Sequence, residues 1–422
     1  MQWVRAHLHP LLRRETLIVA LLVISVIVNY ADRSNLAIAA PVITHQLSLS
    51  PTQMGALLAA FSWTYAFLQL FGLSGWLADR FPVGYVLLIG YVLWTLATCT
   101  TGLLSGFTTI FIARLVLGAG ESVAYPCYSR VFAELPQHQR GRANAFIDAG
   151  TNIGPSLGAL IGGLIMVHLG WRALFVILGL GGLLWVLPWL AIMPRTRTIA
   201  EQSNLPKATT AELLHVRSAW GTFLGHFCGN YVYYFLLAWL PTYLVQEVHM
   251  SLAAMARFTS FAFLLIACST LAVGWLTDRL IRGGLSATLV RKTAASAGLA
   301  CGSLLALATL AAGSSHLSLV LLLIACSGYG AYASNHWAIT QTLAGPSMAG
   351  RWSGVQNGVA NLSGIVGPWL SGAILQRTGS LHAAFLVAAA IALFGSLCWA
   401  LIVARVEPVN WSTLHRAPQE SL

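Results

Sequence analysis

Apolar residues in this chain come in runs of about twenty, one after another from residue 17 to residue 404, with short polar stretches between them. A run of that length, wound as a helix, spans the roughly 30 Å hydrocarbon core of a bilayer. Backbone amides find no water there, so a spanning segment must satisfy them internally. The composition agrees: 57% of the 422 residues are hydrophobic and 8% are charged, where a soluble domain carries about 25% charged residues. The pattern predicts an all-α integral membrane protein with twelve transmembrane helices. They are read at 17–44, 53–77, 84–104, 108–132, 143–168, 172–193, 218–245, 254–276, 293–312, 317–343, 353–375 and 381–404.

Charge gives the topology. The chain has 23 Lys and Arg against 12 Asp and Glu, a formal net charge of +11. Alternating the spans puts most basic residues on one side. Only Arg172, Arg257 and Arg377 fall on the other, and Arg33 and Arg114 lie inside spans. The positive-inside rule makes the basic side cytoplasmic, with both termini there. The excess is thus a topology signal that implies no nucleic-acid partner, although a basic surface also favours anionic membrane lipid. The basic start, Arg13-Arg14, runs into a first span containing Asp32 and reads as a retained helix. All seven cysteines fall in apolar segments without metal-ligand spacing, and their odd number fits no complete disulfide framework. They read as small packing residues, and neither a metal site nor a cofactor is expected.

The two halves of the chain echo each other. Gly75-Trp76-Leu77-Ala78-Asp79-Arg80 closes the second span, and Gly274-Trp275-Leu276-Thr277-Asp278-Arg279 closes the eighth. Gly154-Pro155 in the fifth span returns as Gly367-Pro368 in the eleventh, which sets Asn144 against Asn357 and Asp148 against Asn361. The longest polar stretch lies between the halves. The expected division is a six-helix half at 1–193, a cytoplasmic linker at 194–217, a second six-helix half at 218–404 and a cytoplasmic tail at 405–422. Parallel repeats of this kind place a binding site between the halves at mid-membrane.

Four ionisable residues sit within the spans: Asp32 and Arg33 in the first, Arg114 and Glu121 in the fourth. Each costs roughly 2.5–3.5 kcal/mol at the bilayer centre on insertion scales, so such groups face a wet cavity, a partner or a ligand. Arginine suits an anion and a carboxylate suits a moving proton. Asp32 and Arg33 are neighbours and point about 100° apart on a helix. One reading has Arg33 gripping a substrate carboxylate while Asp32 takes a proton; the other is a structural pair between helices. Arg114 and Glu121 share a face, two turns or roughly 10.5 Å apart. Low dielectric raises a carboxyl group's proton affinity and a nearby arginine lowers it, so a ligand that alters this balance couples its binding to a proton. The alternative is an Arg–Glu lock between helices.

At these residues the chain resembles the major facilitator superfamily. Gly75–Arg80 is similar to that superfamily's signature after the second helix, and Arg114-x-x-x-Gly118 to its fourth-helix arginine motif. More narrowly it resembles the anion:cation symporter family, with bacterial galactonate, glucarate and hexuronate transporters, sialin and the vesicular glutamate transporters among its members. The matching runs are Asn29-Tyr30-Ala31-Asp32-Arg33-Ser34-Asn35-Leu36, Ala60-Phe61-Ser62-Trp63-Thr64-Tyr65 and Arg114…Gly118…Glu121…Pro126. Trp239-Leu240-Pro241-Thr242-Tyr243 and Asn357…Asn361-Leu362-Ser363-Gly364 add to them. The resemblance implies proton coupling at Asp32 and Glu121 and substrate binding at Arg33, Arg114 and Tyr65. Tyr30 and Asn35 offer further polar groups in the same half, and Asn357 and Asn361 in the other, where interhelical hydrogen bonding is the rival role. At the fifth-span position where the galactonate transporter has a substrate-contacting glutamine stand Thr151 and then Asn152. Ser334, His336 and Trp337 are tenth-span candidates; His336 either titrates, binds substrate or is a satisfied buried histidine. Asn230, Tyr231 and Tyr234 on the seventh span are weaker candidates. Asp148, one turn into the fifth helix, reads as an acid complementing a helix N-terminus. Asp79, Arg80, Asp278 and Arg279 read as elements of a cytoplasmic gate. The loop after Arg80 departs from the signature, with Phe81-Pro82-Val83-Gly84 in place of a glycine and basic residues.

Gly154-Pro155-Ser156-Leu157-Gly158 fits the hydrolase pattern G-x-S-x-G, which acquires meaning only in a strand–turn–helix setting; here it lies in an apolar span. No nucleotide-binding loop is present, so uphill transport must use an ion gradient. The expectation is a monomeric carrier in the bacterial inner membrane that brings in a small organic anion, a sugar acid, with protons. The alternatives are a sodium-coupled or facilitative carrier of another carboxylate, or a transporter-like sensor. A membrane-embedded acyltransferase would need a nucleophile–base pair or an H-x-x-x-x-D motif, and the sequence lacks the latter.

Overall fold

Each apolar run forms helix. The computed structural model describes residues 2–135, 137–193, 209–310 and 315–411. The first span is α1 (Gln2–Gln46), and the second is α2 (Pro51–Leu70) with α3 (Leu73–Arg80). Ser50 caps α2: its hydroxyl accepts from the Gln53 amide, and the Gln53 side chain accepts from the Ser50 amide. This reciprocal box satisfies two donors that a helix start otherwise leaves free. Next come α4 (Val83–Thr101), α5 (Phe107–Glu121), α6 (Ala124–Glu134), α7 (Gln137–Leu183) and α8 (Val186–Ile192). The other half holds α9 (Thr210–Leu214), α10 (Arg217–Gln246), α11 (Leu252–Arg282), α12 (Ala287–Ala300), α13 (Leu304–Leu310), α14 (Ser315–Ala333), α15 (His336–Asn361), α16 (Ser363–Thr378) and α17 (His382–Leu397), the last running into a π-helical turn at Cys398–Ile402.

Among the described residues nine helices are long and apolar enough to cross a bilayer, and the bent pair α2–α3, at 62°, makes a tenth. Gly170, at φ 84°, divides α7 into two spans, and the 30-residue α10 completes twelve. Gly345, at φ 64°, likewise turns the chain inside α15. Glycine reaches these backbone angles without the steric cost other residues meet. Large apolar side chains such as Ile89, Leu103 and Leu187 point outward, about two-thirds exposed, where lipid surrounds a membrane helix.

Two differences from the sequence reading matter. The fourth span is broken at Ser122–Val123, between α5 and α6. Pro126 sits in the first turn of α6, where a residue without an amide hydrogen is tolerated, and it cannot continue the helix from before the break. The second span is likewise broken, at Phe71–Gly72. Of the expected linker, 194–208 lies outside the described residues; its end is the capped turn α9. The tail from 412 onward also lies outside them, as does the side chain of Asn144.

By packing, the chain forms two compact units: residues 1–200 with 237–264, and residues 201–236 with 265–422. Small residues let helices close on each other in both. In unit 1, Gly150, Gly154 and Gly158 of α7 face Val26, Ile27, Tyr30 and Ala31 of α1. A Cβ on Gly90 would stand 2.7 Å from the Gly120 carbonyl oxygen, and one on Gly120 would stand 2.8 Å from that of Gly90. Gly298 and Gly328 repeat this contact in unit 2 at 2.6 and 2.8 Å. Both glycines are displaced by the same number of positions, which carries Glu121 to Tyr329 and Tyr128 to His336. Asn29-Tyr30 of α1 matches Asn230-Tyr231 of α10 in the same way, which carries Ser25 to His226 and Arg33 to Tyr234.

Candidate functional site

Asp32, Arg33, Arg114 and Glu121 of unit 1 converge on one enclosed cluster. Arg33 Nε of α1 donates to Glu121 Oε2 at 2.8 Å, with both side chains at most 1% exposed. Glu121 is the last residue of α5, at the helix break. Asp32 turns the other way, as adjacent helix positions must, and accepts at 3.2 Å from Asn35 Nδ2. Arg114 is fully buried, and its charge acts on both Glu121 and Asp32. Two cations therefore face two anions, and their formal charges cancel.

Hydrogen bonding within this cluster is incomplete. Asp32 Oδ2, Asn35 Oδ1, Arg114 Nε and Glu121 Oε1 are enclosed and have no hydrogen-bond partner among the described residues. A buried polar atom left unsatisfied costs about 1–3 kcal/mol, so a concentration of them marks groups held ready for something else. Aromatic faces surround the Arg33 guanidinium: Tyr30 at 4.4 Å, Tyr65 at 4.7 Å and Phe61 at 5.2 Å. Phe61 also lies 5.3 Å from Arg114. Tyr65 and Phe61 are one turn apart on α2 and present one face to both arginines. Phe61 lies in the Ala60–Tyr65 run, and its one-turn spacing from Tyr65 is the sequence signal that points to it. Tyr30 reaches Tyr125 of α6, with 3.4 Å between hydroxyls.

Thr151 and Asn152 form a local group on α7. Thr151 Oγ1 donates to the Asp148 carbonyl at 2.7 Å, and Asn152 Nδ2 donates to Thr151 Oγ1 at 3.3 Å. Asp148 itself is exposed. In unit 2 the Tyr234 hydroxyl donates to Asn361 Oδ1 at 3.0 Å, while Asn361 Nδ2 donates to the Asn357 carbonyl at 2.9 Å. Ser334 accepts from Asn335 Nδ2 at 2.8 Å. His336 bonds through Nδ1 to the Ala333 carbonyl at 2.9 Å and lies against Trp337, with centroids 5.0 Å apart. Its ring also meets His226 of α10, centroids 4.6 Å apart, a residue the sequence reading passed over because one histidine in an apolar span has no visible partner.

At the helix ends Asp79 pairs with Arg130 at 3.4 Å, and Asp278 with Arg291 at 3.6 Å. Neither arginine was assigned to a pair from sequence, although both belong to the basic side of the chain. Arg80 is exposed at the end of α3, and Arg279 lies 5.3 Å from the Trp275 ring. Ser156, centre of the G-x-S-x-G run, lies within a helix and bonds to the Ser260 carbonyl at 2.9 Å.

A polytopic helical protein whose buried arginines and carboxylates meet in one bundle, with its G-x-S-x-G serine held in helix packing, has the build of a membrane transporter. The chain belongs to the Major Facilitator Superfamily, whose family profile matches residues 22–368, and it is accordingly a multi-pass membrane transporter and not an enzyme. It is 29% identical over 410 residues to the hexuronate transporter of Bacillus subtilis, covering 93% of this chain and 94% of that one. It is 27% identical to the probable L-galactonate transporter of Escherichia coli (94% and 91% covered). To the D-galactonate transporter of Escherichia coli O6:H1 it is 28% identical (94% and 97%). Its fold is like the crystal structure of a bacterial homologue of the human lysosomal transporter Spinster, inward-facing and unoccupied, with a TM-score of 0.71 at 19% identity over 93% and 96% of the chains.

Proposed function

We propose that the protein is a proton-coupled symporter that imports an organic anion, a sugar acid of the aldonate, aldarate or hexuronate class, by alternating access. It works as a monomer in the bacterial inner membrane with both termini cytoplasmic, and the stretch 194–217 is a cytoplasmic linker that divides the sequence into its two halves. The observation that carries this reading is the buried Arg33–Glu121 pair, with Asp32 and Arg114 beside it and unsatisfied polar atoms on both carboxylates. The sugar-acid transporters among its relatives support the substrate class.

The pair suggests a partner exchange. A substrate carboxylate that takes the Arg33 guanidinium leaves Glu121 without its counter-ion. An uncompensated buried carboxylate is costly, and a proton on Glu121 removes that cost. Anion and proton are then bound together and released together. Asp32 is the second proton carrier, Arg114 binds the substrate anion beside Arg33, and Tyr30, Tyr65, Asn35, Thr151, Asn152, Ser334, Trp337, Asn357 and Asn361 supply polar and aromatic contacts to the sugar. Asp79, Arg80, Asp278 and Arg279 belong to the cytoplasmic gate.

Liposomes containing the protein and an internal pH dye test this reading with a panel of aldonates, aldarates, hexuronates and smaller carboxylates. Internal acidification with sugar acids, lost in Glu121→Gln, is the expected result. Uptake that requires sodium and causes no acidification would overturn it.

A further inference from the structure

We propose that His226 and His336 form a second anion-binding site, in unit 2, that takes one carboxylate together with one proton. The inference rests on the reading of the protein as an organic-anion symporter and adds a proton site to it.

The two rings lie 4.6 Å apart, centroid to centroid, tilted by 48°, and His226 and His336 are 3% and 8% exposed. Their neighbours fix each tautomer. His336 Nδ1 faces the Ala333 carbonyl and must carry its proton there, which leaves Nε2 as an acceptor. On the other ring, the Thr340 hydroxyl lies 2.8 Å from Gln356 Oε1 and 3.0 Å from the His336 carbonyl oxygen, and the Gln356 amide nitrogen stands 3.3 Å from His226 Nδ1 and donates to it. His226 then carries its proton on Nε2. Neither Nε2 has a hydrogen-bond partner among the described residues, whose bonds to these rings are made at Nδ1. The two rings thus offer one Nε2 donor, on His226, and one Nε2 acceptor, on His336.

No ion pair joins either imidazole to a carboxylate, lysine or arginine among the described residues. The titratable neighbours are Tyr332, stacked on His336 at 5.1 Å, and Cys228 beyond it. Trp337 and Gln356 complete the surroundings. A proton added here has no protein counter-ion, so an arriving carboxylate is what stabilises it. When the proton enters at His336 Nε2, the two Nε2–H groups both become donors, one for each carboxylate oxygen, and the imidazolium balances the anion. Adjacent imidazoles repel a second proton, so the pair holds one. At the matching position of unit 1, Ser25 and Tyr128 instead satisfy each other, with 2.8 Å between hydroxyls.

Calorimetric titration of the full-length purified protein at pH 7, in two buffers of different ionisation enthalpy, counts the protons taken up per anion. The first probe is D-galacturonate, followed by galactarate and lactate. His336→Gln should take up one proton fewer than the unsubstituted protein. His226→Asn should keep the count and bind about tenfold more weakly. An unchanged proton count in a folded His336→Gln protein would overturn the proposal. A loss at His336 with none at Glu121→Gln would uphold this site and overturn the partner exchange at Arg33. Binding of lactate alone would end the sugar-acid reading while still testing the histidines, and binding of no carboxylate would overturn both.

Discussion

Arg33 bonds Glu121 of another helix at 2.8 Å, while its sequence neighbour Asp32 bonds Asn35 one turn away. The arginine's counter-ion thus comes from the fourth span, at a helix break, and Asp32 is left with one unsatisfied oxygen. Removing one partner of a buried pair costs about 3–5 kcal/mol, because the other charge stays buried, whereas replacing both with apolar groups is often neutral. Arg33→Met should therefore lower the unfolding temperature in detergent sharply, and the double variant Arg33→Met/Glu121→Leu should recover most of the loss. No recovery in the double variant would show that the two residues are not energetically coupled.

Three aromatic rings approach the Arg33 guanidinium, and Tyr65 is one of them. Such contacts contribute about 0.5–2 kcal/mol. Tyr65→Leu should weaken binding of the transported anion roughly 2- to 30-fold, and Tyr65→Phe should retain much of it. Equal losses in both variants would assign the effect to the hydroxyl instead of the ring.

Gly118 leaves no room for a side chain: a Cβ there would run into the Phe61 carbonyl oxygen and stand 2.5 Å from Thr64 Oγ1. Gly181 has nothing within 4 Å. Gly118→Ala should cost about 1–3 kcal/mol by overpacking, read as a lower unfolding temperature, and Gly181→Ala should leave that temperature unchanged.

The pairs Asp79–Arg130 and Asp278–Arg291 are long, and their aspartates are about two-thirds exposed. Exposed pairs contribute about 0–1 kcal/mol. Asp79→Asn should barely change stability or anion affinity. Slower flux at unchanged affinity is expected if the pair controls a gate, and unchanged flux would remove it from that role.

The ionisable residues Asp32, Arg33, Arg114 and Glu121 were legible because charge in an apolar run is costly wherever the run packs. Which of them would pair was not, since spacing along one helix carries no information about register against another. The break after Glu121 had a signal in Pro126, but the apolar pattern runs across it unbroken. The turn at Gly170 falls between the expected spans 143–168 and 172–193, where one apolar run ends and the next begins. His226 could not be found by the same logic as Arg33: a neutral imidazole costs little in an apolar span, and its significance comes from His336, more than a hundred positions away.

The glycine contact between Gly90 and Gly120 recurs as Gly298 and Gly328, but the register that places Glu121 in one half places Tyr329 in the other, stacked 5.7 Å from Tyr233. The duplicated bundle is thus a swap experiment already run inside a single polypeptide. One copy closes its helices around ionic side chains and the other does so around phenols. The scaffold therefore does not need the charges in order to assemble, which frees their placement from the demands of packing.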